Sequence, residues 1–145
     1  MKEISLTLLG DPVPAARPRF SRRSGHAYDP GTNRQFKQML AYEAQAQYKG
    51  ELLDGIPLEV YIACYRANQK STSKVERVRR ENKQSLPIKK PDTDNYVKSV
   101  LDALTGIIWH DDNIIVHIDA YKFYSETPRT EVIIKEYVGS EKDGC

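Results

Sequence analysis

Asp92 and Asp94 stand one residue apart, behind Lys89-Lys90-Pro91 and ahead of an apolar-periodic run. Carboxylates that close repel each other, and one takes up a proton unless a cation lies between them. A divalent ion meets that need. Oxygen-only ligands suit Mg²⁺ or Mn²⁺ rather than zinc. The competing reading makes Asp94 or Asn95 a helix N-cap and Asp92 a surface acid. Pro91 biases Lys90 toward extended backbone. If extension continues, Asp92 and Asp94 point to the same side. A calcium EF-hand is excluded, because counting from Asp92 its positions five, six and twelve fall on Tyr96, Val97 and Ala103. An aspartyl phosphotransferase is excluded too, because Ser85 to Pro91 is polar and prolyl where that chemistry needs a hydrophobic strand.

A second acid pair, Asp111-Asp112, follows Trp109-His110. A single helix with a short return brings it back near the first pair. Acids from two loops are what a one- or two-metal phosphodiester site requires, since such ions polarise a phosphate and activate water at neutral pH. Turn chemistry also explains Asp111-Asp112-Asn113, and both readings stay open on these residues alone. Lys98 lies one helical turn past Asp94, either as a surface ion pair or as a cation for the scissile phosphate. Asp102, a further turn on, is placed to orient Lys98. Asp119 belongs either to the site or to solvent. His26, His110 and His117 share no metal-ligand spacing, and no Ser-His-Asp order or Gly-rich phosphate loop stands out.

These residues need elements to hold them. Ile4, Leu6 and Leu8 alternate in a first strand. Residues 11–23 carry three prolines and four arginines and read as an extended loop. A helix over about 33–48, capped at Thr32, buries Phe36, Leu40 and Ala44. Leu58, Val60, Ile62 and Cys64 mark a second strand. A polar helix runs from a Ser71, Thr72 or Ser73 cap to about residue 83, with Val75 and Val78 as its clear anchors. Val97, Val100, Leu101 and Leu104 form the core stripe of a third helix over about 95–105, ended by Gly106. Ile114, Val116, Ile118 and Ala120 alternate in a third strand. Val132 and Ile134 face inward in a fourth, over 130–138, joined to the third as a hairpin through Ser125 to Arg129. The order β-α-β-α-α-β-β predicts an α+β fold, one small mixed sheet of about four strands covered by helices. At 145 residues the chain reads as a single domain, with a frayed tail from Gly139.

Charge is segregated along the chain. Residues 66–90 carry nine Lys/Arg against two Glu, and residues 91–145 carry eleven Asp/Glu against five Lys/Arg. Two cysteines, one of them terminal, leave no disulfide framework and point to a reducing cytoplasm. No run approaches the length of a membrane span.

The stretch K-K-P-D-T-D-N-Y-V-K-S-V-L-D-A-L-T-G-I-I-W-H-D-D-N-I-I-V-H-I-D resembles the RusA-like Holliday junction resolvases. Their pattern is roughly P-D-x-D-N-x-x-K-x-x-x-D-A-L, a short gap, an aromatic near D-D, then a strand. The Pro14-Ala-Ala-Arg17-Pro-Arg19 loop is similar to a proline- and arginine-rich segment of many members. The resemblance implies a homodimeric, metal-dependent endonuclease that resolves four-way DNA junctions by paired nicks, often phage- or prophage-encoded. It implies Asp92, Asp94 and Asp112 as metal ligands, Lys98 as the catalytic lysine, and Asn95 in support. Thr93 stands where an apolar residue is common.

Holding a polyanion near these acids requires positive charge. Arg17, Arg19, Arg22 and Arg23 form one expected clamp. Arg77, Arg79, Arg80 and Lys83 form another, with Lys89 and Lys90 beside the acids. Tyr121, Phe123 and Tyr124 serve either a dimer surface or the core. Two other functions fit the basic surfaces: a branched-DNA-binding module that does not cut, and a flap or fork nuclease.

Overall fold

A computed structural model describes residues 1–15, 19–20, 27–28 and 31–139, with only the backbone of 19–20, 27–28 and Gly31. The elements in chain order are β1 (Ile4–Leu9), β2 (Arg19–Phe20), β3 (Ala27–Tyr28), α1 (Gly31–Gln47), β4 (Leu58–Ala67), α2 (Lys74–Glu81), α3 (Thr93–Leu104), β5 (Ile115–Ser125) and β6 (Arg129–Glu136). A one-turn 3₁₀ segment, Asp112–Ile114, leads into β5. The expected α+β order is present, with the two-residue β2–β3 ladder added.

The main sheet has the order β1-β6-β4-β5. β4 pairs antiparallel to β6 and parallel to β5, which makes the sheet mixed. β5 and β6 are therefore not the expected hairpin. They flank β4, and residues 126–128 cross its end. Sequence adjacency suggested pairing, but β4 is buried almost throughout and takes the central place between them. β5 is left as an edge.

One face of the sheet carries the core. Leu6, Leu58, Val60, Ile62, Val132 and Ile134 meet Phe36, Leu40 and Ala44 of α1 and Val100, Ala103 and Leu104 of α3. α1 begins at Gly31, so Thr32 lies in its first turn rather than at the cap. Buried Asn33 ties the two helices together, donating from Nδ2 to Ser99 Oγ at 3.1 Å and to the Pro14 carbonyl at 2.9 Å. On the opposite face Tyr65, Ala63 and Phe123 make a smaller cluster. The Arg129 guanidinium lies 3.7 Å from the Tyr65 ring centroid.

α2 departs from its expected anchoring. Ser73 caps it, its side chain accepting from Glu76 N–H. Val75 and Val78 are exposed, and no residue of α2 is buried. Polar contacts hold it against the C-terminal end of β5 instead. Arg77 makes a forked pair with Glu126, Arg80 stacks 3.7 Å over the Tyr124 ring, and Glu81 accepts from Ser125 Oγ. The Ser85 hydroxyl and Arg80 hold the Glu76 carboxyl below its ordinary range, and Arg77 does the same for Glu126. Both groups thus stabilise the fold at neutral pH, and that contribution is lost as pH falls through their depressed values. As pH falls below the ordinary carboxylate range, amide protection factors should accordingly drop in α2 before they do so in β4.

Candidate active site

α3 begins two residues earlier than the apolar stripe suggests. Asp92 is its N-cap residue, in extended conformation at φ −73° and ψ 151°, and its carboxylate makes no capping bond. Asp94 lies inside the first turn. The expectation of two acids alternating along an extended strand therefore fails at Thr93, where the backbone turns helical. Neither Asp94 nor Asn95 is the cap. Both acids remain exposed, and they stand where unpaired N–H groups and the helix dipole favour anions.

The segment before Asp92 is fixed from the sheet. Lys122 of β5 donates from Nζ to the carbonyls of Lys89 and Pro91, each at 3.1 Å, across a cis Lys90–Pro91 peptide. Nothing in the spacing singled out Lys122; only the fold brings it within reach. Hydrogen bonds with a charged partner contribute about 1.5–3 kcal/mol. Lys122→Met is expected to cost that much in a denaturant melt. Ala15 donates its N–H to the Asn95 carbonyl at 2.9 Å, so the chain enters the arginine-rich stretch from beside the first turn of α3.

Lys98 is exposed and forms no ion pair with Asp94 or Asp102 among the described residues. The expected orientation of Lys98 by Asp102 is absent, and Asp102 points to solvent. Asp119 pairs with His117, Oδ2 to Nε2 at 3.2 Å. Its register partner is Tyr61, on the face turned away from α3. That position removes it from the neighbourhood of Asp92.

The second acid pair sits elsewhere. Gly106, at φ +85°, ends α3 by taking a backbone conformation that disfavours side chains. The chain then folds into a tight turn in which buried Trp109 donates Nε1–H to Thr105 Oγ1 at 2.9 Å. Two backbone bonds, Leu53 N–H to Ile108 and His110 N–H to Leu53, fasten this turn beside the start of β4. Asp111 caps the 3₁₀ segment by accepting from Asn113 N–H, so its turn role is real. Asp112 is exposed at the Leu58–Ile115 end of the β4–β5 pair, whereas Lys122, which holds the Asp92 loop, pairs near the other end. α3 has twelve residues, and at 1.5 Å per residue it separates the two acid pairs by on the order of 20 Å. The expected return of Asp112 to Asp92 and Asp94 within one chain therefore does not occur. Among the described residues, no three His, Cys, Asp or Glu side chains of one chain are grouped to hold a metal ion.

The basic residues divide in the same way. Arg77 spends its donors on Glu126 and on the Thr72, Gln69 and Lys70 carbonyls. Arg80 spends its donors on Glu76, Asn68 and Gln69. These contacts hold α2 in place. Arg79 is more open, with only a 3.6 Å pair to Glu76. The Lys83 ammonium lies 4.9 Å from the Phe123 ring centroid. Lys89 and Lys90 are exposed beside Asp92. Arg17, Arg22, Arg23 and His26 lie outside the described residues, as does the Arg19 side chain. Cys64 is a core residue, its thiol pushed by burial up to about 12, which leaves no useful nucleophile at neutral pH. No helix of the described residues is long and apolar enough to cross a membrane.

A mixed sheet backed by two packed helices, with exposed carboxylates at a helix N-terminus and Lys89 and Lys90 beside them, makes this an α+β domain. The chain belongs to the endodeoxyribonuclease RusA family, whose pattern it matches over residues 10–135. It is also 41% identical over 137 residues to the Bacillus subtilis (strain 168) protein titled "Uncharacterized protein YqaN", covering 92% of this chain and 96% of that one.

Proposed function

We propose that the chain is a metal-dependent, structure-selective endodeoxyribonuclease that resolves four-way DNA junctions by paired nicks, acting as a homodimer on DNA in a reducing cytoplasm. The observation that carries this reading is the open D-x-D-N-x-x-K face at the start of α3, within a chain of an endodeoxyribonuclease family. Asp92 and Asp94, with Asp112 supplied across the proposed homodimer, would hold Mg²⁺, or Mn²⁺ in its place, because their donors are all carboxylate oxygens. When bound, such an ion supplies Lewis acidity and an activated water for phosphodiester hydrolysis. The protein's own groups do the rest. The N–H groups of the first α3 turn attract a phosphate. Lys98 lies one turn deeper, where its charge opposes the negative charge that builds on the phosphate and leaving oxygen. Lys89, Lys90 and Arg79, with the arginines of residues 17–23, offset the repulsion between DNA and the acids. Asn95 supports the first turn.

A comparison of synthetic four-way, three-way and flap substrates tests the assignment. The four-way junction is expected to be cut fastest, with nicks at symmetric positions on opposed strands. Flap cutting without junction preference would move the protein to another nuclease activity. Tight junction binding with no cutting would make it a binding module.

A further inference from the structure

We propose that the loop between α2 and α3 is a wedge for unstacked DNA bases: Ile88, with Leu86 two residues before it, enters the branch point while Lys89 and Lys90 hold the adjoining phosphates. The inference rests on the nuclease reading above and deepens it by naming the side chains that sense an open junction.

Ile88 is 92% exposed, more than any other large apolar side chain among the described residues, and Leu86 is 49% exposed. The backbone that carries them is tied down on both sides. Pro87, between the two, is buried. The Ser85 hydroxyl donates to Glu76 of α2 at 2.7 Å, and Lys122 of β5 donates to the carbonyls of Lys89 and Pro91. Two apolar side chains are thus held out to water by a fixed loop. A partner that takes them out of water gains their full burial.

Charge and place identify that partner. Residues 82–91 carry three lysines and no acid. Lys89 and Lys90 are exposed and make no ion pair among the described residues. Apolar tips framed by unpaired cations fit a ligand that offers negative charge and flat apolar faces together, as DNA does where its bases are unstacked. Ile88 lies four positions before Asp92, which puts their Cα atoms within about 14 Å. At 3.4 Å per nucleotide along one strand that is about four nucleotides. A strand cut at the acids therefore passes the loop close to the cut. Continuous duplex must break a stack to admit Ile88, whereas a branch point has its stacks already interrupted. The wedge thereby favours branched over linear DNA without reading its sequence.

Fluorescence and rescue decide the matter. A four-way junction with 2-aminopurine at its branch point is saturated with protein in excess chelator, with saturation checked by gel shift. The native chain is expected to raise the fluorescence several-fold by unstacking the probe, and Ile88→Ser is expected to bind without that rise. In Mg²⁺, Ile88→Ser should nick the fully paired junction about tenfold more slowly than native. Mismatches built in at the branch point should bring it back to within about twofold of native, because the unstacking is then done in advance. Ile88→Met should keep both the fluorescence rise and the rate. Ile88 is exposed, so the melting temperature of each variant should match native. Saturated native binding with no rise would overturn the wedge. An Ile88→Ser chain that equals native in every DNA readout would also overturn it and assign the tip to a protein partner. A change of oligomeric state in Ile88→Ser by light scattering would make the loop a contact between copies instead. The fluorescence arm needs no cutting, so a native chain that opens the branch point and never nicks would sink the nuclease reading and leave the wedge standing.

Discussion

Asp92→Asn, or Asp94→Asn, is expected to lower junction nicking by at least ~10³-fold, because an ion that polarises the phosphate supplies several kcal/mol of transition-state stabilisation. Both side chains are exposed and neither caps α3, so the fold loses little. Melting temperature should stay within a few degrees of native. Junction binding should hold or tighten, since removing a negative charge relieves repulsion from the DNA backbone. Single-turnover cutting and gel-shift titration, run at one salt concentration, separate the two effects. A loss of binding parallel to the loss of cutting would mean that these acids build the DNA surface rather than the reaction centre.

The second large effect is on stability. Trp109 is fully buried, closes the turn after α3 through its bond to Thr105, and packs in the main core. Trp109→Ala removes that volume and leaves the Thr105 hydroxyl without its donor. Truncating a buried aromatic of this size costs about 3–5 kcal/mol, and urea denaturation followed by circular dichroism should show that loss. Because the turn also sets where Asp112 emerges, cutting by the variant should fall even at temperatures where it remains folded. Thr105→Val, which removes the bond from Trp109 and the one to the Leu101 carbonyl and leaves the buried indole N–H unpaired, should cost about 1–3 kcal/mol.

Sequence periodicity was a sound guide wherever one element faces one core. The stripes Phe36-Leu40-Ala44 and Val100-Leu104, and the alternation through Leu58 to Cys64, all end up buried. Periodicity failed for Val116 and Ile118, because alternation states that a strand has an apolar side and not what covers it. α2 misled for the converse reason. Its two valines looked like anchors, while arginine–carboxylate and cation–ring contacts to residues some fifty positions away hold it.

The candidate site was legible as residue types and spacing but not as geometry. The carboxylate pair, Lys98 and the D-D element stand out by type and spacing alone. Which end of the sheet each reaches depends on α3 running unbroken from Thr93 and on β5 returning parallel to β4. Neither fact is local. Lys122 left no signal at all, being a lone lysine in an apolar strand. A rule that lysines facing inward from an edge strand need a named acceptor would have marked it.

The most direct measurement of the central claim is cleavage of a cruciform plasmid by the native protein, with Mg²⁺ and with excess chelator. Coordinated cutting on opposed strands predicts linear product in Mg²⁺, little nicked circle, and intact plasmid in chelator. Equal cutting with and without the ion, or bound plasmid that stays supercoiled in Mg²⁺, would contradict the account.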